Sequence, residues 1–230
     1  MTTAKSSRLT SKFFHWWDSL FRYRYYFLIC ALMAMLVLPS FADETNEGII
    51  WKVARTAVLL SCINILRNLN HSMVLLVVLG LLASGSDWLG VLGIDSNYTN
   101  LLSLGLFALF VGMISYEVFK QILISKSIDM HIIIGALCGF MLIGMIASLV
   151  FTLVHIIYPG SFSNVSQGMN GVADLFYFSY ITILSIGYGD IAPISSQARG
   201  VSLFFGLIGQ FYLVVIMAVL VGKFIIKPDQ

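Results

Sequence analysis

The stretch Thr182-Ile183-Leu184-Ser185-Ile186-Gly187-Tyr188-Gly189-Asp190 decides how this sequence folds. It closes a short apolar run, Val172–Leu184, of about 13 residues, where a helix crossing a hydrocarbon core needs about 20. Gly187 and Gly189 follow, two residues apart, and glycine reaches backbone angles closed to other residues. Non-helical backbone at membrane depth is tolerated only where protein buries it or where it lines a watery path. The run therefore reads as a re-entrant helix with an irregular loop at its tip, provided that the flanking segments cross a membrane.

Composition says that they do. Of 230 residues, 59% are hydrophobic and 10% charged, whereas a soluble domain carries roughly 25% charged residues. A soluble globule of this length has too much surface to hide so many apolar side chains. Collagen-like, disordered and disulfide-rich classes are excluded by the same numbers, and a net charge of +2 is too small to suggest nucleic acid. Cys30, Cys62 and Cys138 all lie inside apolar runs, which predicts reduced, hydrophobic cysteines. Six apolar segments are long enough to span, approximately Tyr25–Phe41, Ile49–Leu66, Met73–Leu92, Tyr98–Phe119, His131–Tyr158 and Ala198–Ile226. Ser84, Gly85, Ser86 and Asp87 interrupt the third and make it the weakest of the set.

Orientation follows from basic residues, which collect on the cytoplasmic side. With six spans, Lys5, Arg8, Lys12, Arg22, Arg24, Arg67, Lys120, Lys126, Lys223 and Lys227 fall on one side. Lys52, Arg55 and Arg199 fall near the other, together with Asp43, Glu44, Glu47, Asp95, Asp174 and Asp190. Both termini are thus expected in the cytoplasm, with the re-entrant segment dipping in from outside. The triplets Asn97-Tyr98-Thr99 and Asn164-Val165-Ser166 also land outside, although such triplets arise easily by chance. The N-terminus supports two readings. Basic residues, an apolar stretch and Pro39-Ser40-Phe41-Ala42 resemble a cleaved signal within residues 1–42. Phe13, Phe14, Trp16, Trp17, Phe21, Tyr23, Tyr25 and Tyr26 instead suggest an amphipathic segment lying at the cytoplasmic interface.

The loop itself carries the chemistry. Glycines alternating with Ile186 and Tyr188 can turn successive carbonyls to the same side, and a row of carbonyl oxygens replaces the water around a dehydrated alkali cation. One chain supplies one wall of such a row, so several copies must surround the axis. Ser-Ile-Gly-Tyr-Gly-Asp resembles the selectivity filter of potassium channels, usually Thr-Val-Gly-Tyr-Gly-Asp. Phe176, Tyr177 and Phe178 before it, Ile191-Ala192-Pro193 after it, and the last span through Gly209-Gln210-Phe211-Tyr212-Leu213 fit that resemblance, which is specific over about 130–226. It implies an all-α membrane protein of six transmembrane helices, with a re-entrant pore helix and selectivity-filter loop between helices 5 and 6. Residues 1–24 would form an interfacial N-terminus, 25–126 a peripheral four-helix domain, and 127–230 the pore domain.

By the same resemblance, the carbonyls of Ser185, Ile186, Gly187 and Tyr188 would bind potassium, with Gly189 completing the filter and Asp190 at its mouth. Phe178 and Thr182 would support the filter. Gly209 would be either a gating hinge or a close-packing residue, with Leu213, Met217 and Val221 lining the pore below it. Ser185 keeps the usual hydroxyl but drops a methyl that helps fix its rotamer. Leu184 replaces a frequent threonine, Ile181 a buried glutamate of some relatives, and Phe178 a tryptophan that bonds the filter aspartate. Asp190 is therefore expected to lack both usual partners. The resemblance further implies passive potassium transport by a homotetramer in contact with lipid, in a bacterial cytoplasmic membrane. It implies no cofactor beyond the permeating potassium, no nucleic-acid partner and no small-molecule substrate.

A voltage sensor needs several positive charges along one span, each worth about 2.3 kcal/mol per 100 mV crossed. Tyr98–Phe119 holds no Lys or Arg, so weak voltage dependence is expected. Lys52 and Arg55 form a basic pair in the second span, and snorkelling to the outer headgroups accounts for them more simply than a sensing role. His15, His71, His131 and His155 show no metal-site spacing, and no catalytic motif is present, so an enzyme is not expected. Only Lys227-Pro228-Asp229-Gln230 follow the sixth segment, which predicts no cytoplasmic sensing domain in this chain.

Overall fold

The most apolar helix organises its neighbours. In the computed structural model, which describes residues 23–41, 47–63, 70–89, 97–125, 129–166 and 169–225, seven helices run in chain order. They are α1 (Arg24–Val37, continuing into a 3-10 turn at Leu38–Phe41), α2 (Glu47–Ile63), α3 (Asn70–Leu89) and α4 (Asn97–Ile124), then α5 (Met130–Ile157), α6 (Met169–Ile183) and α7 (Ser196–Ile225). The described residues form no β-strand beyond an isolated bridge between Phe162 and Pro193. Among the described residues, three stretches are long and apolar enough to cross a membrane: Leu102–Ile124, Met130–Ile157 and Ser196–Ile216. Met130–Ile157 is the most apolar, with a mean hydropathy of 2.5.

Local chemistry sets the helix ends. α5 stops before Pro159 and Gly160, whose φ of +79° suits glycine. Ser195 caps α7, its Oγ accepting the Ala198 N–H at 3.1 Å, which satisfies a donor with no partner inside the helix. The interruption expected at Ser84–Asp87 does not break α3, where the Ser86 hydroxyl bonds back to the Ala83 carbonyl at 2.9 Å.

α5 packs against α1, α4, α6 and α7. Its glycines form sockets for tyrosines: Gly135 faces the ring of Tyr25, Gly139 faces Tyr212, and a Cβ on Gly144 would lie 2.6 Å from the ring of Tyr180. Small residues let membrane helices approach closely. The phenols of Tyr212 and Tyr180 then donate to the carbonyls of Ala136 (2.7 Å) and Met141 (2.8 Å) on α5, so neither of these two buried phenols lacks an acceptor. Towards the other end of α5, Phe151 is fully buried against Phe162, Phe178 and Phe205, with ring centroids 5.1 to 5.8 Å apart. Cys62 and Cys138 are buried and Cys30 is exposed, all of them free thiols as their apolar settings predict. The aromatic N-terminal segment expected at the interface lies largely outside the described residues.

Candidate functional site

The loop after α6 begins with a Schellman ending. The Ile186 N–H donates to the Ile181 carbonyl at 2.9 Å and the Ser185 N–H to Thr182 at 3.0 Å. Ser185 occupies the left-handed position of this motif, at φ +56°, where glycine is usual and another residue costs roughly 1–2 kcal/mol. Gly187 (φ +56°) and Gly189 (φ +81°) repeat the sign, while Ile186 and Tyr188 between them do not. Positive φ thus recurs at every second residue, the alternation that turns successive carbonyls to one side.

Contacts with α7, α6 and the loop after α5 fix this segment. On α7, the Gln210 side-chain amide donates to the Ser185 hydroxyl at 2.8 Å and to the Ile183 carbonyl at 3.3 Å. Beside it, a Cβ on Gly209 would lie 2.9 Å from both the Cβ and the carbonyl oxygen of Ile183. At the far end, the Asn164 amide donates to the Asp190 carbonyl at 2.7 Å. Ser161, Ser163 and Phe162 pair with Ala192–Ile194, clipping the outgoing chain to the loop that follows α5. The Asp190 carboxylate accepts a hydrogen bond from the Tyr177 phenol, and that bond holds its pKa below the ordinary 3.8 against the opposing effect of desolvation. In the single chain the apolar faces of this strand lie open: Leu184 and Ile186 are each 46% exposed and Tyr188 72%.

Residues 140–226, from α5 through α7, match the family model described as ion channel. Over 64 residues the chain is 36% identical to the "Two pore potassium channel c" of Oryza sativa subsp. japonica, covering 28% of this chain and 14% of that protein. It is 32% identical over 94 residues to the "Potassium channel K2" of Plasmodium berghei (strain Anka), covering 40% and 6% respectively. This segment is thus similar to ion channels, and parts of the chain are similar to proteins named as potassium channels. The chain spans only a small part of the length of these relatives. Ion channels are not enzymes, in keeping with the lack of a catalytic motif in the sequence.

The expectations for Asp190, Phe178, Thr182, Gly209 and Arg55 need correction or sharpening. Asp190 does not lack a side-chain partner: the adjacent residue, Tyr177, takes the role denied to Phe178. Phe178 is buried against Phe151 and Phe162, at 5.1 and 5.4 Å between centroids. The Thr182 hydroxyl turns back to the Phe178 carbonyl at 2.7 Å, so Thr182 supports the loop through its own carbonyl. Between hinge and packing, the contact with Ile183 favours packing for Gly209, and α7 runs unbroken through it. Arg55 does not snorkel away from the protein. Its guanidinium lies over the Phe107 ring at 4.2 Å and donates to Ser103 Oγ at 3.4 Å, both on α4.

Leu213 is 38% exposed in the single chain. Met217 and Val221 lie on α7, with side chains outside the described set. Sequence reading named Gln210, Tyr177 and Asn164 only within longer stretches and gave none of them a role in holding the loop. Gln210 could have been found, since an amide inside a long apolar span is costly unless it faces protein. For Tyr177 and Asn164 the sequence holds no comparable signal.

Proposed function

We propose that this chain is one quarter of a potassium-selective pore, a homotetramer that lets potassium pass down its gradient across the membrane. The observation that carries the reading is the recurrence of positive φ at Ser185, Gly187 and Gly189 on a strand whose apolar side chains lie open. Such a strand can offer the carbonyls of Ser185, Ile186, Gly187 and Tyr188 to a dehydrated ion, with three further copies closing the ring and covering Ile186 and Tyr188. α6 then enters as a re-entrant pore helix between α5 and α7, and the six helices around it span, with both termini in the cytoplasm. Residues 127–230 form the pore domain, 25–126 the peripheral four-helix domain, and a bacterial cytoplasmic membrane suits this arrangement. Leu213, Met217 and Val221 line the path below the filter.

A weakly selective cation pore is the second reading, favoured by the hydroxyl of Ser185, which lacks the methyl that would fix its rotamer. Flux from proteoliposomes holding the full chain, measured under opposed potassium and sodium gradients, decides between them. A reversal potential that follows potassium supports the first reading and one midway supports the second. Absence of flux would leave the chain a scaffold with a pore-like fold.

A further inference from the structure

Three helices long and apolar enough to span, α4, α5 and α7, converge on a cleft of about 420 Å³ among the described residues. Tyr116 and Phe119 of α4, Ile143 of α5, and Phe211, Tyr212 and Val215 of α7 line most of it. Two hydroxyls on its wall are committed, Ser115 to the Val111 carbonyl and Tyr212 to that of Ala136, each at 2.7 Å, and the third belongs to the exposed Tyr116. An occupant therefore finds mainly apolar contact along the inner wall. The cleft is open to the side, since Tyr116 and Phe211 are each 64% exposed. At a rise of about 1.5 Å per residue, Phe119 lies about 8 Å from the end of α4 and Ile143 about 20 Å from the start of α5. Both depths fall within a hydrocarbon core of about 30 Å. At the rim, one turn beyond Tyr116 towards the end of α4, Lys120 is exposed, with its ammonium 5.9 Å from the Tyr116 ring.

We infer that this cleft binds the acyl chain of an anionic phospholipid, whose phosphate is held at Lys120. An apolar slot at acyl depth with a cation at its headgroup-side rim fits an amphiphile of that charge better than a second protein surface, which would meet the lysine with apolar side chains. The inference rests on these helices crossing a bilayer and not on which ion the chain conducts. The test reads lipid, so its failure is separable from that of the proposed pore.

The full chain is purified in mild detergent in its native oligomer and incubated with equal amounts of phosphatidylglycerol and phosphatidylcholine, and retained lipid per chain is measured by native mass spectrometry. Lys120→Gln should lower retained phosphatidylglycerol about fivefold, the effect of one basic residue near an anionic headgroup, and leave phosphatidylcholine unchanged. Ile143→Phe, which fills the cleft, should lower both lipids. Wild-type retention of both lipids in both variants would overturn the inference. So would a change of oligomeric state in Ile143→Phe with lipid retention unaltered, which would make another copy of the chain the occupant. If Ile143→Phe does not fold, the lipid ratio retained by Lys120→Gln decides alone.

Discussion

At Asp190 the structure replaces an expected deficit with a bond. The carboxylate is held ionised by the Tyr177 phenol, so its folded pKa lies below the ordinary value. For a depressed carboxylate the stabilising contribution is present above the ordinary 3.8 and is lost as pH falls through the lower, folded value. The filter mouth should thus keep its form under acidification to below that point. Tyr177→Phe removes the donor, moves the pKa back up and shifts the acid loss of potassium flux to higher pH. Flux from vesicles titrated on the Asp190 side checks this, and identical midpoints in both proteins would count against the bond. Gln210 is the second residue of consequence. Gln210→Leu leaves the Ser185 hydroxyl and the Ile183 carbonyl without a donor, at a cost of about 1–3 kcal/mol where they are buried. We expect an assembled protein with reduced or short-lived potassium flux, recorded in single channels; wild-type openings would show that the Gln210 amide does not hold the loop.

At the scale of elements, the contact between α6 and α7 is set by a missing side chain. Gly209→Ala places a methyl 2.9 Å from the backbone of Ile183, so the end of α6 must move away from α7, and overpacking of this kind costs typically 1–3 kcal/mol. The expected result is a lowered unfolding temperature together with altered conduction, because the shifted Ile183 carries Ser185 with it. A hinge would behave differently: the open–closed balance would change while thermal stability stayed put. Differential scanning calorimetry alongside bilayer recording separates the two. The peripheral helices touch this region as well. Trp51 of α2 packs edge-on against Phe176 of α6 at 5.0 Å, and Phe176 packs against Tyr180 at 5.0 Å, so α2 abuts the helix that carries the glycine-spaced loop.

At the scale of the molecule, the exposed faces of Leu184, Ile186 and Tyr188 ask for partners. Chemical cross-linking in mild detergent should yield a ladder ending at four chains, and a ladder ending at two would defeat the tetramer. Voltage should act weakly, because the stretch of α4 up to Phe119 carries no basic residue and Arg55 on α2 is tied to Phe107 and Ser103. One charge crossing the whole field is worth about 2.3 kcal/mol per 100 mV, so open probability should change shallowly with voltage, and Arg55→Gln should flatten it further. A steep dependence in macroscopic recordings would show that the peripheral helices carry more gating charge than the sequence displays.

The sequence by itself determined that the chain is helical and apolar, where its long helices lie, and that a glycine-spaced loop closes a short helix between two of them. Hydrophobic length and glycine spacing are properties of consecutive residues, and the bilayer leaves few structures that satisfy the backbone. It could not tell that Tyr177 and not Phe178 would reach Asp190, that Gln210 would hold Ser185, or that Ser185 itself would take a left-handed conformation. Nor could it choose between hinge and packing at Gly209, or turn Arg55 inward. Each of these depends on how two helices distant in sequence are rotated and seated against one another, and that rotation follows from sockets such as Gly144 under Tyr180 and Gly139 under Tyr212. Tertiary packing decided them because helix-to-helix contacts of a few ångströms are fixed by the summed shape of many side chains, which no local stretch of sequence contains.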